Sequence, residues 1–250
     1  GFGPHNAAMN LARSFGAEAA RYALVRPSYP AEAIDFALEN IEQPQRILDL
    51  GAGTGKLTRS LVGRARELVA VEPDPAMRAV LADYVPQAQA LDGSAERIPL
   101  PDGSVDAVLA GQAFHWFARP DTDRELARVL RPGGVVGLIW NYPDPSVSWV
   151  PKIYQATRDR DSHRSAEFVQ LDAELFTDPQ ENLSSWQHEL PGPDGLIDLV
   201  HTWSWVITRT AAERAAIDRR LRVLVSQYAE LQGPVVQFPQ RTTVLRQYRR

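Results

Sequence analysis

The chain has 250 residues, 44% hydrophobic and 23% charged, with a formal net charge of −4, a composition ordinary for a water-soluble globular protein. It contains no cysteine, which excludes disulfides, thiolate metal sites and a cysteine nucleophile. No apolar run nears the roughly 18–20 residues that span a bilayer, no signal-peptide pattern is visible and no basic face stands out, so a cytoplasmic protein that engages neither membrane nor nucleic acid is expected.

Residues 1–8 precede the first methionine, Met9, and are read as an expression-vector remnant; residues 9–250 are expected to form a single domain. Residues 17–24 suit a helix, which Arg26-Pro27-Ser28-Tyr29-Pro30 interrupts. Ile34, Phe36, Ala37, Leu38 and Ile41 then predict an amphipathic helix stopped by Pro44. The stretch 46–74 organises the rest. The short run Ile47-Leu48-Asp49-Leu50 stops at Gly51-Ala52-Gly53-Thr54-Gly55, a helical pattern follows with Leu57, Leu61 and Val62, and a second apolar run, 68–71, ends on Glu72. That is strand, glycine turn, helix, strand, acid: half of a mononucleotide-binding unit. The glycines permit positive φ and close approach of a ligand to the backbone, and an acid at a strand tip can accept both hydroxyls of a ribose.

Two phosphate-binding patterns fail on this stretch. Lys56 stands where the third glycine of Gly-x-Gly-x-x-Gly belongs; the phosphate loop G-x-x-x-x-G-K-[ST] meets Leu50 at its first glycine and Leu57 at its Ser/Thr. Asp49, inside the strand before the first glycine, would repel a pyrophosphate and suits a cationic ligand.

Further along, Pro75 opens a helix running through Leu81, with Met77 on it as either a ligand contact or core filler. Residues 88–91 make a short third strand with the exit loop Asp92-Gly93-Ser94-Ala95-Glu96, where Glu96 alternatively serves as a helix-start acid. Residues 107–110 are the fourth strand, ending in Gly111-Gln112-Ala113-Phe114-His115-Trp116-Phe117; ligands of open α/β sheets sit beyond the carboxyl ends of strands, so this loop faces the site. A helix at 124–130 should end in the turn Arg131-Pro132-Gly133-Gly134, before a fifth strand at 135–140. Residues 147–160 suit a helix and 184–190 a sixth strand. The Trp203–Trp205 neighbourhood reads as core or as part of a substrate cap spanning about 145–210. Thr210-Ala-Ala-Glu213 is a capping box opening a helix to about Leu231, and 242–248 a seventh strand.

The sequence Asp49-Leu-Gly-Ala-Gly-Thr-Gly55, with Glu72 seventeen residues beyond it, resembles motif I and the acidic motif of class I S-adenosylmethionine (SAM) methyltransferases. SAM carries a sulfonium, an ammonium, a carboxylate and a ribose, but no phosphate. Leu-Pro-x-Asp-Gly-Ser-x-Asp before the fourth strand and Leu-Arg-Pro-Gly-Gly before the fifth resemble recurrent stretches of the same class. Phe15-Gly16, Tyr22 and Arg-Pro-x-Tyr-Pro resemble the N-terminal signature of its methyltransferase type 11 branch, which includes trans-aconitate methyltransferase relatives. The resemblance implies a doubly wound, Rossmann-like α/β sheet, mostly parallel, of about seven strands with helices on both faces and a small helical cap. It implies SAM as cofactor and S-adenosylhomocysteine as product. The cofactor set it assigns is Tyr22, Arg26, Asp49, Gly51, Ala52, Gly53, Thr54, Gly55, Glu72, Pro73, Met77, Ser94, Ala95, Glu96 and Gln112. Tyr22 and Arg26 read equally well as parts of an N-terminal segment packed on the sheet.

No metal constellation is visible. His115 is the catalytic candidate: a general base for an alcohol or phenol, a positioning group for a carboxylate, or a histidine bonded to local backbone. The strand-four loop lacks the Asn-Pro-Pro-Tyr type of sequence, which points to a small organic acceptor, with oxygen favoured. A catalytically silent SAM-binding protein working through partners, and an NAD-dependent oxidoreductase, are the alternatives. The acceptor's identity and the oligomeric state are not encoded in any motif.

Overall fold

A computed structural model of the chain describes residues 25–114, 117, 120–157 and 170–250. The helix expected at 17–24 and the positions Phe15, Gly16, Tyr22 and His115 lie outside the described residues. Seven strands form one sheet among those described: β1 (Arg46–Leu50), β2 (Glu67–Val71), β3 (Gln89–Leu91), β4 (Val105–Gly111), β5 (Leu130–Pro143), β6 (Gln180–Leu190) and β7 (Val236–Tyr248). The helices are α1 (Ala31–Ala37), α2 (Lys56–Leu61), α3 (Pro75–Tyr84), α4 (Asp121–Val129), α5 (Val150–Thr157), α6 (Gly192–His201), α7 (Ser204–Ile207) and α8 (Ala211–Ser226).

The strand order is β3-β2-β1-β4-β5-β7-β6, and β1 to β5 pair in parallel. Parallel strands carry cover on both faces, so β1 and β2 read as apolar runs, interrupted in β1 only by Asp49, with Ile47, Leu48, Leu50, Val69, Ala70 and Val71 all buried. The order reverses between β1 and β4, and the carboxyl ends there form the crevice where such sheets bind ligands. β7 runs against its neighbours. Gly134 on β5 pairs with Arg249, while Asn141 meets Thr242; Gln180 on β6 meets Arg246, while Trp186 meets Thr242.

The chain divides into two compact units. Of the described residues, one comprises 28–114, 117, 120–142, 170–186 and 241–250, and the other 25–27, 143–157 and 187–240. The first has its core around Leu48, Val69, Val108, Leu126, Val136 and Leu138. The second has its own around Trp149, Ile153, Leu196, Trp203, Leu221 and Phe238.

Four local expectations change. Arg131-Pro132-Gly133-Gly134 is no turn ahead of β5 but an irregularity within it: Leu130 pairs with Val105 and Val135 with Ala107. Gly133 sits at φ 76°, and Arg249 accepts from Gly133 N and donates to Gly134 O, keeping the segment in the sheet. α1 stops at Ala37, short of Pro44. The helix expected to reach Leu231 ends at Ser226, where the Gln232 amide takes the Val225 carbonyl at 2.5 Å. β7 begins at Val236, not 242, running through Pro239, whose missing N–H argues against a strand when the sequence alone is read.

Candidate functional site

The turn after β1 is drawn back over β2: Gly51 and Ala52 donate their N–H groups to the Val71 carbonyl at 2.9 and 3.1 Å. Gly51, Gly53 and Gly55 all have positive φ, at 70°, 57° and 91°. A Cβ on Gly51 would lie 2.9 Å from Ala113 Cβ and 3.0 Å from Phe117 Cζ, so the β4 exit loop closes on the glycine turn there. A Cβ on Gly53 would meet nothing within 4 Å; this is where the turn's backbone is open to an incoming group. Ala52 is buried with Ala70 and Leu81, and Thr54 is half-buried.

Asp49 is buried near the end of β1, with Ala70 and Leu109 opposite it. Its Oδ2 accepts a hydrogen bond from Thr58 Oγ1 at 2.6 Å; its Oδ1 is buried with no partner. Burial pushes the carboxyl up to about 7, opposed by the bonds from Thr58 and reinforced by the like charge of Glu72. A buried carboxylate with one orphaned oxygen and a second acid nearby is a place for positive charge.

Glu72, one residue past β2, is almost as buried. Its Oε2 accepts from Gly53 N at 2.8 Å and its Oε1 from Asp74 N at 2.9 Å, so the carboxylate lies against the glycine turn. Pro73 beside it is exposed. Asp74 caps α3, its Oδ1 accepting from Ala76 N and Met77 N at 2.8 and 2.9 Å. Met77 is 47% exposed, which removes core filling as its role.

At the exit of β3, Ser94-Ala95-Glu96-Arg97 forms a tight turn in which Ser94 N donates to Arg97 O at 3.3 Å and Arg97 N to Ser94 O at 3.1 Å. No helix starts at Glu96, which corrects the helix-start reading. The Ala95 side chain is buried, leaving its backbone as the group it can offer a ligand. Arg128 and Glu125 on α4 pin the chain beyond: Glu125 Oε2 accepts from Ile98 N at 2.9 Å, and Arg128 donates to Leu100 O at 2.8 Å and Ile98 O at 2.9 Å. The Arg128 guanidinium holds the Glu125 carboxyl below its ordinary value.

Gln112 follows β4 with φ 57°, a conformation non-glycine residues adopt only when surroundings impose it. Its amide donates to Asn141 O at 2.5 Å, its N–H to Ile139 O at 2.9 Å. Asn141 is held in turn: Nδ2 donates to Ser28 O at 2.9 Å, and Oδ1 accepts from Thr242 Oγ1 at 2.6 Å, which accepts from Trp186 Nε1 at 2.8 Å. Phe114 is buried and meets Phe117 edge-on, ring centroids 5.4 Å apart. Gly111 lets Tyr29 pack close; a Cβ there would lie 2.4 Å from the Tyr29 hydroxyl.

The structure therefore brings Asp49, Gly51, Ala52, Gly53, Thr54, Gly55 and Glu72 together. Arg26 lies in the other compact unit, donating to the Thr202 carbonyl at 2.7 Å. Trp203 stacks on Tyr154 in that unit's core, centroids 4.8 Å apart. Thr58, Arg78 and Asn141 escaped sequence reasoning. Thr58 carried one faint signal, a polar residue on the helix face that Leu57 and Leu61 bury.

A mostly parallel sheet of this order, with one acid at the end of β1 and another past β2 around a glycine turn, defines a class: the Rossmann-like methyltransferases. A family model described as a methyltransferase domain matches residues 48–138. An uncharacterised methyltransferase of Mycobacterium tuberculosis (strain H37Rv) is 45% identical over 223 residues, 89% of each chain. A malonyl-[acyl-carrier protein] O-methyltransferase of Halorhodospira halophila is 38% identical over 134 residues, 50% of this chain and 45% of that one. A solved structure of a putative type II methyltransferase from Anaeromyxobacter dehalogenans aligns over 90% of this chain and 96% of its own, with TM-score 0.58 and 27% identity. The chain belongs to the class I S-adenosylmethionine methyltransferase family.

Proposed function

We propose that this protein is a SAM-dependent methyltransferase acting on a small organic acceptor, with transfer to oxygen. The observation that carries the cofactor is the acid pair. Asp49 offers a buried, unpartnered oxygen beside a glycine turn whose middle residue opens on free space, and Glu72 presents a carboxylate against that turn. A ligand with positive charge, a ribose and no phosphate meets those demands; a pyrophosphate does not.

When bound, SAM supplies an electrophilic methyl group on a sulfonium. The residues of this chain bind and align it. Asp49 would balance the cationic end, Glu72 would accept from the ribose hydroxyls, Met77 and the Ser94–Glu96 turn would hold the adenine, and Gln112 with Pro73 would complete the wall. His115 acts on the acceptor, taking a proton from a hydroxyl or orienting a carboxylate. Methyl transfer is an in-line displacement, so alignment and exclusion of water are the protein's main contributions. Oxygen as acceptor atom is supported by the malonyl-[acyl-carrier protein] O-methyltransferase similar to half of this chain. Among the described residues no helix is long and apolar enough to cross a membrane, which suits the cytoplasmic location proposed here.

Titration calorimetry with SAM, S-adenosylhomocysteine and NAD on wild type and Glu72→Ala is the test. Binding of SAM or its product, weakened in the variant by about 1.5–3 kcal/mol as for a lost charged acceptor, is the expected result. NAD binding in place of SAM, or no SAM binding, overturns the reading.

A further inference from the structure

The Glu72 and Pro73 carbonyls lie just past Val71, the last residue of β2, where the β-ladder no longer takes them. One nitrogen of Arg78 on α3 does. Arg78 Nη1 donates to Glu72 O at 2.6 Å and Pro73 O at 3.1 Å, and lies 3.2 Å from Asp92 Oδ1 just beyond β3. A single side chain thus crosses the tips of two strands, beside the Glu72 N–H bond to Leu91 O at 3.1 Å. The ion pair itself contributes little, because Asp92 is 76% exposed. What Arg78 supplies is geometry.

The Glu72 carboxylate points where it does because residues 72–74 hold one backbone conformation. Its oxygens reach Gly53 N on the glycine turn and Asp74 N on its own loop, and a small rotation at 72 or 73 would break both bonds. We propose that Arg78 is a positioning residue for Glu72: it fixes the loop that aims the ribose-binding carboxylate and, by folding inward over the strand tips, leaves its neighbour Met77 on the surface for the adenine. This rests on the SAM reading above.

The test is a double-mutant cycle on S-adenosylhomocysteine affinity, with urea unfolding of each variant alongside. Arg78→Leu is expected to weaken binding about tenfold, and Arg78→Lys, whose ammonium stands one bond short of where Nη1 meets both carbonyls, about threefold. On a Glu72→Gln background Arg78→Leu should cost less than about twofold, because the group it positions is already lost. Arg78→Leu affinity within about twofold of wild type, or a full tenfold loss on the Glu72→Gln background, overturns the inference. If Arg78→Leu does not fold, Arg78→Lys is judged by the same cycle: a threefold loss that persists beside Glu72→Gln overturns it equally. Wild-type protein that binds neither SAM nor its product refutes the underlying reading, a result separable from intact wild-type binding that ignores Arg78.

Discussion

Asp49 gives the site a measurable dependence on pH. Its carboxyl rises from 3.8 to about 7 on folding, because burial disfavours the charged form. At about 1.4 kcal/mol per decade of proton affinity, that displacement is worth about 4 kcal/mol. The folded protein holds this proton more tightly than the unfolded chain, so stability falls as pH rises from 3.8 through about 7 and is then level. Asp49→Asn stays neutral throughout, at a cost of about 1–3 kcal/mol for an amide left unpaired where Oδ1 now lies. The ligand-free variant should therefore lie within about 1.5 kcal/mol of wild type at about pH 5 and be more stable by about 1–3 kcal/mol at about pH 8. Urea unfolding at intervals across that range reads the difference directly. Binding should move the other way: a cationic ligand pairs with the ionised carboxylate, so wild-type affinity for SAM should rise about tenfold per pH unit up to about 7 and then flatten, while Asp49→Asn binds weakly with no slope. A stability difference that is the same at every pH would refute the assignment of the buried proton to Asp49.

Gly51→Ala places a Cβ 2.9 Å from Ala113 Cβ at a φ of 70°; unfolding should show a loss of about 2–4 kcal/mol from strain plus overpacking. Gly53→Ala, at φ 57° with open space around it, should cost only about 1–2 kcal/mol of stability yet weaken SAM binding in calorimetry, because the methyl group intrudes on the ligand's approach. Thr242→Val leaves the Trp186 N–H and Asn141 Oδ1 without their shared hydroxyl; a loss of about 2–4 kcal/mol is expected, with a changed tryptophan emission spectrum before unfolding begins. Thr210→Ala removes the capping box it forms with Glu213 at the start of α8 and should cost about 1 kcal/mol in a thermal melt.

The alternation of strand and helix, the glycine turn and the two acids were legible in the sequence because each is a local demand. Short apolar runs such as Ile47-Leu48 and Val69-Ala70-Val71, bounded by the glycine turn and by Glu72, suit strands covered on both faces, and three glycines with positive φ have few residues that can replace them. The case for a cationic ligand rather than a phosphate also begins in the sequence, with Asp49. Long-range partners were not. Nothing near Thr58 says that its hydroxyl serves Asp49 nine residues back, and nothing near Arg78 says that it holds the carbonyls of Glu72 and Pro73. Asn141 links Gln112, Ser28 and Thr242, positions up to 113 residues from it in the chain. Only the first part of β7, residues 236–241, was hidden, by the proline at 239; the polar Thr242, Arg246 and Gln247 of the expected part are accommodated in the sheet because distant groups take up their hydrogen bonds. The sequence by itself determined which residue types surround the site, since periodicity and glycine sterics act within a few residues. The tertiary structure alone decided how the two carboxylates are aimed and what proton one of them carries, since burial and pairing across the sheet exist only once the chain has folded.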